Sequence, residues 1–140
     1  MADKFFQPEN IFLVVGASNN TEKYGSKVFL DLKDAGYNVI AINKKGGEIH
    51  GTPAYPSVSD FLDKIEQIFD EKKRDETIAK VVLVFVIPPE GTLAILEEAA
   101  RHGVDKAWFQ PGSESLEAIE FCEQNGFAVI HDQCIMVQKP

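Results

Sequence analysis

Hydrophobic positions along this chain come in two kinds. Short unbroken runs alternate with segments in which apolar residues recur every three or four positions. Ile11-Phe12-Leu13-Val14-Val15 is the first run, and it ends at Gly16. A strand covered on both faces reads this way, which is the signature of a parallel sheet. Between Ser26 and Ala35, the residues Val28, Phe29, Leu32 and Ala35 fall at helical spacing, and Gly36 sits where a helix end wants a left-handed residue. Tyr37 to Ile42 returns to a β-rich run. Ile49 to Tyr55 suggests a short third strand beyond the loop Lys44-Lys45-Gly46-Gly47. Ser57-Val58-Ser59-Asp60 has the form of a capping box ahead of the stripe Phe61, Leu62, Ile65, Ile68 and Phe69.

The charged stretch Asp70 to Thr77 reads as a solvated helix end or loop. Val81 to Val86 is the strongest strand signal, and Pro88-Pro89 stops it because proline cannot continue a central ladder. Leu93, Leu96, Ala99 and Ala100 form a further helical stripe ended by Gly103. Lys106 to Phe109 is a fifth strand. Pro111-Gly112 turns the chain, and Ser113 is placed to cap a helix running through Leu116, Ile119 and Cys122 to Gly126. Phe127 to Ile130 is a last strand before a short tail. The βα unit thus repeats about five times. Right-handed crossovers make that a Rossmann-like, doubly wound α/β fold with a mainly parallel sheet of five to six strands and helices on both faces. Residues 1–140 are expected to form one domain, with no linker, repeat or low-complexity segment.

Bulk properties narrow the partners. No apolar run approaches the ~20 residues of a membrane span. The start, Met1-Ala2-Asp3-Lys4-Phe5-Phe6, shows no basic segment leading into an apolar one, so the expectation is a cytoplasmic protein without a signal peptide. The two cysteines, Cys122 and Cys134, are read as reduced thiols, since a core of this size needs no disulfide. A net charge of −8 argues against a nucleic-acid binder, which needs a basic face. It does not argue against an anionic small ligand, because helix N-termini supply local donors whatever the total charge.

In a doubly wound sheet the ligand lies outside the carboxyl ends of the strands. After the first strand comes Gly16-Ala17-Ser18-Asn19-Asn20-Thr21, followed by Glu22-Lys23-Tyr24-Gly25. Small residues and short polar side chains there suit a phosphate at the N-terminus of the next helix, although a dinucleotide fingerprint would carry three glycines at fixed spacing and this loop keeps only the first. After the second strand, Asn43-Lys44-Lys45 replaces the acid that would bind the ribose of NAD. Two lysines there point instead to a ribose phosphate, as in coenzyme A or NADP. After the fourth strand, Val86-Ile87-Pro88-Pro89 offers a rigid apolar wall for an adenine or a pantetheine arm. After the fifth, Gln110 and the N–H groups beyond Gly112 can reach the same crevice, while Trp108 reads as core.

Candidates for catalysis are few. His50, His102 and His131 are not spaced as metal ligands. His131-Asp132 lies near Cys134 in sequence, and a Cys/His pair can make a nucleophile. Cys122 falls on the apolar stripe of a helix, which points to packing. There is no nucleophile elbow and no Walker lysine.

Taken in order, Val15-Gly16-Ala17-Ser18, Lys23-Tyr24-Gly25, Asn43, Gly51 with Tyr55-Pro56, Val86-Ile87-Pro88-Pro89, Trp108-Phe109-Gln110-Pro111-Gly112 and Asp132-Gln133-Cys134-Ile135-Met136 resemble the small stand-alone CoA-binding domain proteins. More distantly they resemble the N-terminal domain of the succinyl-CoA synthetase α subunit. Lys44 stands where that family usually has proline, and the segment from Asp63 to Lys80 is longer than usual. The resemblance implies coenzyme A or an acyl-CoA in the crevice, held by the Gly16–Thr21 loop, by Lys44 or Lys45, and by Val86 to Pro89. It implies binding, as a sensor or a component of an assembly, and gives catalysis no support. The alternatives are an NADP-dependent oxidoreductase and a small thiol-using enzyme built on Cys134. Small Rossmann domains often pair, so a homodimer is a further expectation.

Overall fold

The computed structural model describes residues 2–140. Seven strands form one sheet in the order β3-β4-β2-β1-β5-β6-β7. They are β1 (Ile11–Val15), β2 (Asn38–Ile42), β3 (Glu48–Ile49), β4 (Thr52–Tyr55), β5 (Val81–Phe85), β6 (Lys106–Phe109) and β7 (Ala128–Ile130). All neighbours are parallel except β3, which pairs antiparallel with β4. The helices are α1 (Tyr24–Asp34), α2 (Val58–Ile68), α3 (Glu71–Ile78), α4 (Thr92–His102), α5 (Leu116–Gln124) and α6 (Ile135–Gln138). None is long and apolar enough to cross a membrane.

The expected fold class holds, and three details change. The count is seven strands rather than five to six, because Ile49 to Tyr55 is a hairpin that turns at His50-Gly51. The charged stretch after Phe69 is a helix of its own, α3, capped by Asp70, whose Oδ1 accepts from the Lys73 N–H at 2.9 Å. Only Ile78 of α3 is buried, so no apolar stripe announced it. Ser113 does not cap α5. Ser115 does, its Oγ accepting from the Ala118 N–H at 3.1 Å, while Ser113 is buried and its hydroxyl accepts from the Ile87 N–H at 3.1 Å.

The central strands bury both faces, as their unbroken apolar runs require. On one face Leu13, Val15, Leu83, Phe85 and Phe109 meet Phe61, Leu62 and Ile65 of α2, Leu96 of α4 and Cys122 of α5. On the other, Phe12, Val14, Val84 and Trp108 meet Val28, Phe29 and Leu32 of α1 together with Phe5 and Ile135. Trp108 is fully buried, as its place in β6 predicts, with Phe5 packed edge-on at 5.5 Å. The tail continues as α6 and is strapped to this face. The Trp108 Nε1–H donates to the Gln133 carbonyl at 2.9 Å, and Lys139 pairs with Asp31 of α1 at 2.9 Å.

Cys122 is packing, as its stripe position suggests. Burial pushes its thiol from the ordinary value of 9.0 up to about 12, with the neighbouring Glu123 charge adding to the effect. In the unfolded chain the thiol ionises near pH 9, while in the folded chain it stays neutral. Stability contributed by the neutral thiol is fully present below pH 9 and lost as pH rises from 9 toward 12, at up to about 1.4 kcal/mol per pH unit. Urea unfolding of wild type and Cys122→Ala between pH 8 and 10.5 should therefore give a steeper alkaline loss for wild type. Parallel profiles would show that the thiol titrates alike in both states.

Candidate functional site

Order in the sheet reverses at β1, whose neighbours are β2 on one side and β5 on the other. Loops leaving β1 and β5 in opposite directions open a crevice there. It has two lobes, of about 800 and about 570 Å³, joined along Gly16, Ser18, Lys23, Asn43 and Ile87, which line both.

The loop after β1 forms the floor. Gly16 has φ 103°, and a Cβ on it would overlap the Val86 carbonyl and come within 2.8 Å of Ile87 Cγ2. Ser18 Oγ accepts from the Asn20 N–H at 3.0 Å, and Asn20 Oδ1 accepts from the Glu22 N–H at 3.0 Å. These two turns carry the chain to α1 without using every donor. Among the described residues, the backbone N–H groups of Ser18, Asn19, Thr21, Tyr24 and Gly25 have no acceptor in the protein. No side chain caps α1: its N-cap is Lys23, and the larger lobe is lined by Lys23, Tyr24 and Gly25. An uncapped helix N-terminus facing a cavity concentrates free donors and positive potential at one place.

Gly25 stands in for the missing glycines of the fingerprint. A Cβ there would overlap the Gly16 carbonyl oxygen, so only glycine lets α1 start this close to the end of β1. That is the packing role of the last fingerprint glycine, displaced to a longer spacing.

The smaller lobe lies over the end of β2. Lys44 and Lys45 reach it, opposite an apolar wall of Ile42, Pro56, Val58, Ile87 and Ile95. The larger lobe runs under Val86-Ile87-Pro88 to Gln110-Pro111-Gly112-Ser113 and ends at Cys134.

Of the residues expected at the site, Gly16, Ala17, Ser18, Lys23, Tyr24, Asn43, Val86, Ile87, Pro88 and Gln110 line the larger lobe, and Lys44 and Lys45 the smaller one. Asn19, Asn20, Thr21 and Pro89 line neither. Asn19 is a clasp instead. Its Nδ2–H donates to the Glu48 carbonyl and its Oδ1 accepts from the His50 N–H, both at 2.8 Å, which pins the β3–β4 hairpin to the loop. His50 completes the clasp, with Nε2 2.7 Å from Ser26 Oγ and its ring stacked on Phe29. Pro89 opens a single 3-10 turn into α4, and its carbonyl accepts from Thr92 Oγ1 at 2.9 Å.

Two lining amides are also occupied. Asn43 donates from Nδ2 to the Ala17 carbonyl at 2.8 Å and accepts at Oδ1 from the Lys45 N–H at 2.9 Å. An aspartate could not make the first bond, so this position is an amide for the sake of the loop. Gln110 is buried, with Oε1 accepting from the Ile135 N–H at 2.7 Å and Nε2 donating to Cys134 Sγ at 3.3 Å. His131 Nδ1 pairs with Asp132 Oδ2 at 2.7 Å, and among the described residues no hydrogen bond joins His131 to Cys134. His102 bridges helices through Asp63 and Glu66. Ile42, Ser57, Val58, Ile95 and Glu98 line the smaller lobe without having been expected at the site. Gly25 was legible as part of Lys23-Tyr24-Gly25, and Glu98 carried no signal.

Three likenesses bear on this crevice. The family model described as "CoA binding domain" matches residues 10–140. Among curated proteins, the chain is 27% identical over 146 residues to the α subunit of acetate–CoA ligase [ADP-forming] II of Pyrococcus furiosus. That match takes in 96% of this chain but only 28% of the ligase subunit. Among solved structures, a conserved hypothetical protein from Pyrococcus furiosus superposes with a TM-score of 0.73 at 37% identity, covering 93% of this chain and 98% of that one.

Proposed function

The chain belongs to the CoA binding domain family, and on that premise we propose that it binds coenzyme A or an acyl-CoA across both lobes of the crevice. The observation that carries this reading is the junction of the lobes. There Ser18, whose N–H is free, and the uncapped N-terminus of α1, with free N–H groups at Tyr24 and Gly25, line a cavity that has lysines at one end and an apolar channel at the other. That is the polarity of coenzyme A. The diphosphate suits the helix N-terminus, because backbone donors and the helix dipole both favour negative charge. The ribose phosphate suits Lys44 and Lys45, which supply mobile cations. The adenine suits the wall of Ile42, Val58 and Ile95. The pantetheine arm suits the larger lobe under Pro88, running toward Cys134.

The role is binding without catalysis, as a sensor or as one component of an assembly. A thiol centre at Cys134 would need a base in reach of its sulfur, and among the described residues the side-chain hydrogen bond to Cys134 Sγ comes from the Gln110 amide, with none from His131. The chain spans 28% of the ligase subunit it matches, so that enzyme's reaction is not carried over.

Isothermal titration of the purified protein with coenzyme A and acetyl-CoA tests the reading. Saturable heat at about one ligand per chain is expected for at least one of them. Absence of heat at millimolar ligand would overturn it. Tighter binding of NADPH than of either CoA form would favour a hydride-transfer protein instead.

A further inference from the structure

One charge in the crevice runs against the rest. Glu98 of α4 lines the smaller lobe, among Lys23, Lys44 and Lys45. A carboxylate there repels the phosphates of any nucleotide. It is nevertheless held in place: Ser59 of α2 donates a hydrogen bond from Oγ to Glu98 Oε1 at 2.8 Å. One turn further along both helices, His102 bridges to Asp63 and Glu66, so α2 and α4 are joined at two successive levels. Glu98 therefore keeps a fixed position beside the apolar wall, and among the described residues its Oε2 accepts no hydrogen bond from the protein.

A fixed acceptor beside an apolar wall, in a lobe otherwise built for anions, is matched by a hydrogen-bond donor on the flat part of the ligand. We propose that Glu98 determines base specificity. Its free carboxylate oxygen accepts from the exocyclic amine of an adenine lying against Ile95 and Val58, and Ser59 is the positioning residue that aims it. The inference rests on the reading of the crevice as a coenzyme A site and sharpens it by naming what selects the base. A purine with a carbonyl in place of the amine would put an acceptor against the carboxylate, so rejection comes from repulsion as well as from a lost bond.

Titrations with coenzyme A and with its deaminated form, which carries hypoxanthine, read this directly. Wild type should bind coenzyme A about tenfold or more tightly than the deaminated ligand, the range of one hydrogen bond to a charged group. Glu98→Ala should bring the two within about twofold of each other. Ser59→Ala should shrink the ratio part of the way, and Glu98→Gln should shrink or invert it, since a glutamine amide can donate to the carbonyl. The ratio is the measure, because removing a carboxylate also eases the approach of the phosphates.

Equal binding of the two ligands by wild type, or a ratio that survives Glu98→Ala, would overturn the assignment and leave coenzyme A binding intact. A 2′-deoxyribose form of coenzyme A that binds weakly in wild type but not comparatively so in Glu98→Ala would also overturn it, by moving the contact to the ribose hydroxyl. If neither ligand binds wild type, the reading of the crevice itself fails.

Discussion

Gly25→Ala should destabilise the fold by about 3 kcal/mol and remove ligand binding at the same time. The added Cβ overlaps the Gly16 carbonyl oxygen and sits within 3.0 Å of its carbon. That neighbour is backbone, so no rotamer relieves the overlap. Gly16 cannot retreat either. Its N–H is tied to the Ile42 carbonyl at 3.1 Å, and its own Cβ position is covered by Val86 and Ile87. The first turn of α1 must swing outward, which opens the packing of Val28 and Phe29 and moves the free donors at Tyr24 and Gly25 away from the loop. Overpacking at a site that cannot yield costs about 1–3 kcal/mol and sometimes more, here a fall of roughly 10 °C in Tm. Gly36→Ala is the control. Gly36 has φ 92° with open space around it, so only backbone strain applies, about 1 kcal/mol, and coenzyme A binding should be untouched. Thermal unfolding by circular dichroism and titration of both variants separate the two effects. If Gly25→Ala costs no more than Gly36→Ala, the close approach of α1 to β1 is not what holds the site.

The elements that were legible in the sequence are those whose burial is uniform. Val81 to Phe85 is apolar at every position because both faces of β5 are covered, and all five residues are buried. The stripe of α2 read correctly through Ile65, and its N-cap was real, though only half of a box forms: Ser57 Oγ accepts from the Asp60 N–H at 3.1 Å, while Asp60 Oδ2 takes the Ser57 hydroxyl and not its backbone N–H. Elements whose pattern is set by something other than burial read only coarsely: Ile49 to Tyr55 was legible as one short strand and not as a hairpin, and Asp70 to Thr77 only as a helix end or loop. Strand β4 contains Pro53 and buries none of its residues fully, because it lies toward one edge of the sheet with only the two-residue β3 outside it. Helix α3 is polar on nearly all sides and is defined by its cap.

The crevice, as a candidate site, was legible in outline for the same kind of reason. Strand ends and small residues mark where a ligand can approach, and ten of the residues expected there line the larger lobe. What sequence could not assign is how each polar side chain is spent. Asn19, Asn43 and Gln110 look like ligand-binding amides, yet the structure uses all three to tie one loop to another. Gln110 is buried and Asn43 half-buried, so their amides need partners, while Asn19 is exposed; in all three, whether the partners come from the chain or from a ligand depends on contacts 24 to 31 residues away in sequence. Glu98 is the reverse case, a helix carboxylate with no signal in the sequence that the packing of α2 on α4 turns toward the crevice.

Lys44→Ala with Lys45→Ala should weaken coenzyme A binding about 100-fold while leaving Tm unchanged. Both side chains are exposed at the mouth of the smaller lobe, and the bonds that hold this turn run through the Asn43 side chain and the Gly46 backbone. Removing them therefore costs the fold little. Each lysine that meets a phosphate contributes about 1.5 kcal/mol, discounted for exposure, and together they give about 3 kcal/mol. The dependence of affinity on salt should fall in the double variant, since exposed charges are screened beyond about 10 Å at 0.1 M salt. The partner group is identified by a cycle with dephospho-CoA, which lacks the ribose 3′-phosphate. Wild type should prefer coenzyme A, and the double variant should bind both ligands alike, because the lysines and the phosphate then have nothing left to lose separately. Lys72→Ala with Lys73→Ala on α3 removes the same charge outside the crevice and should change affinity by less than twofold. If that control weakens binding as much as the Lys44 and Lys45 pair, the effect is one of total charge on a chain that already carries −8, and the ribose phosphate lies elsewhere.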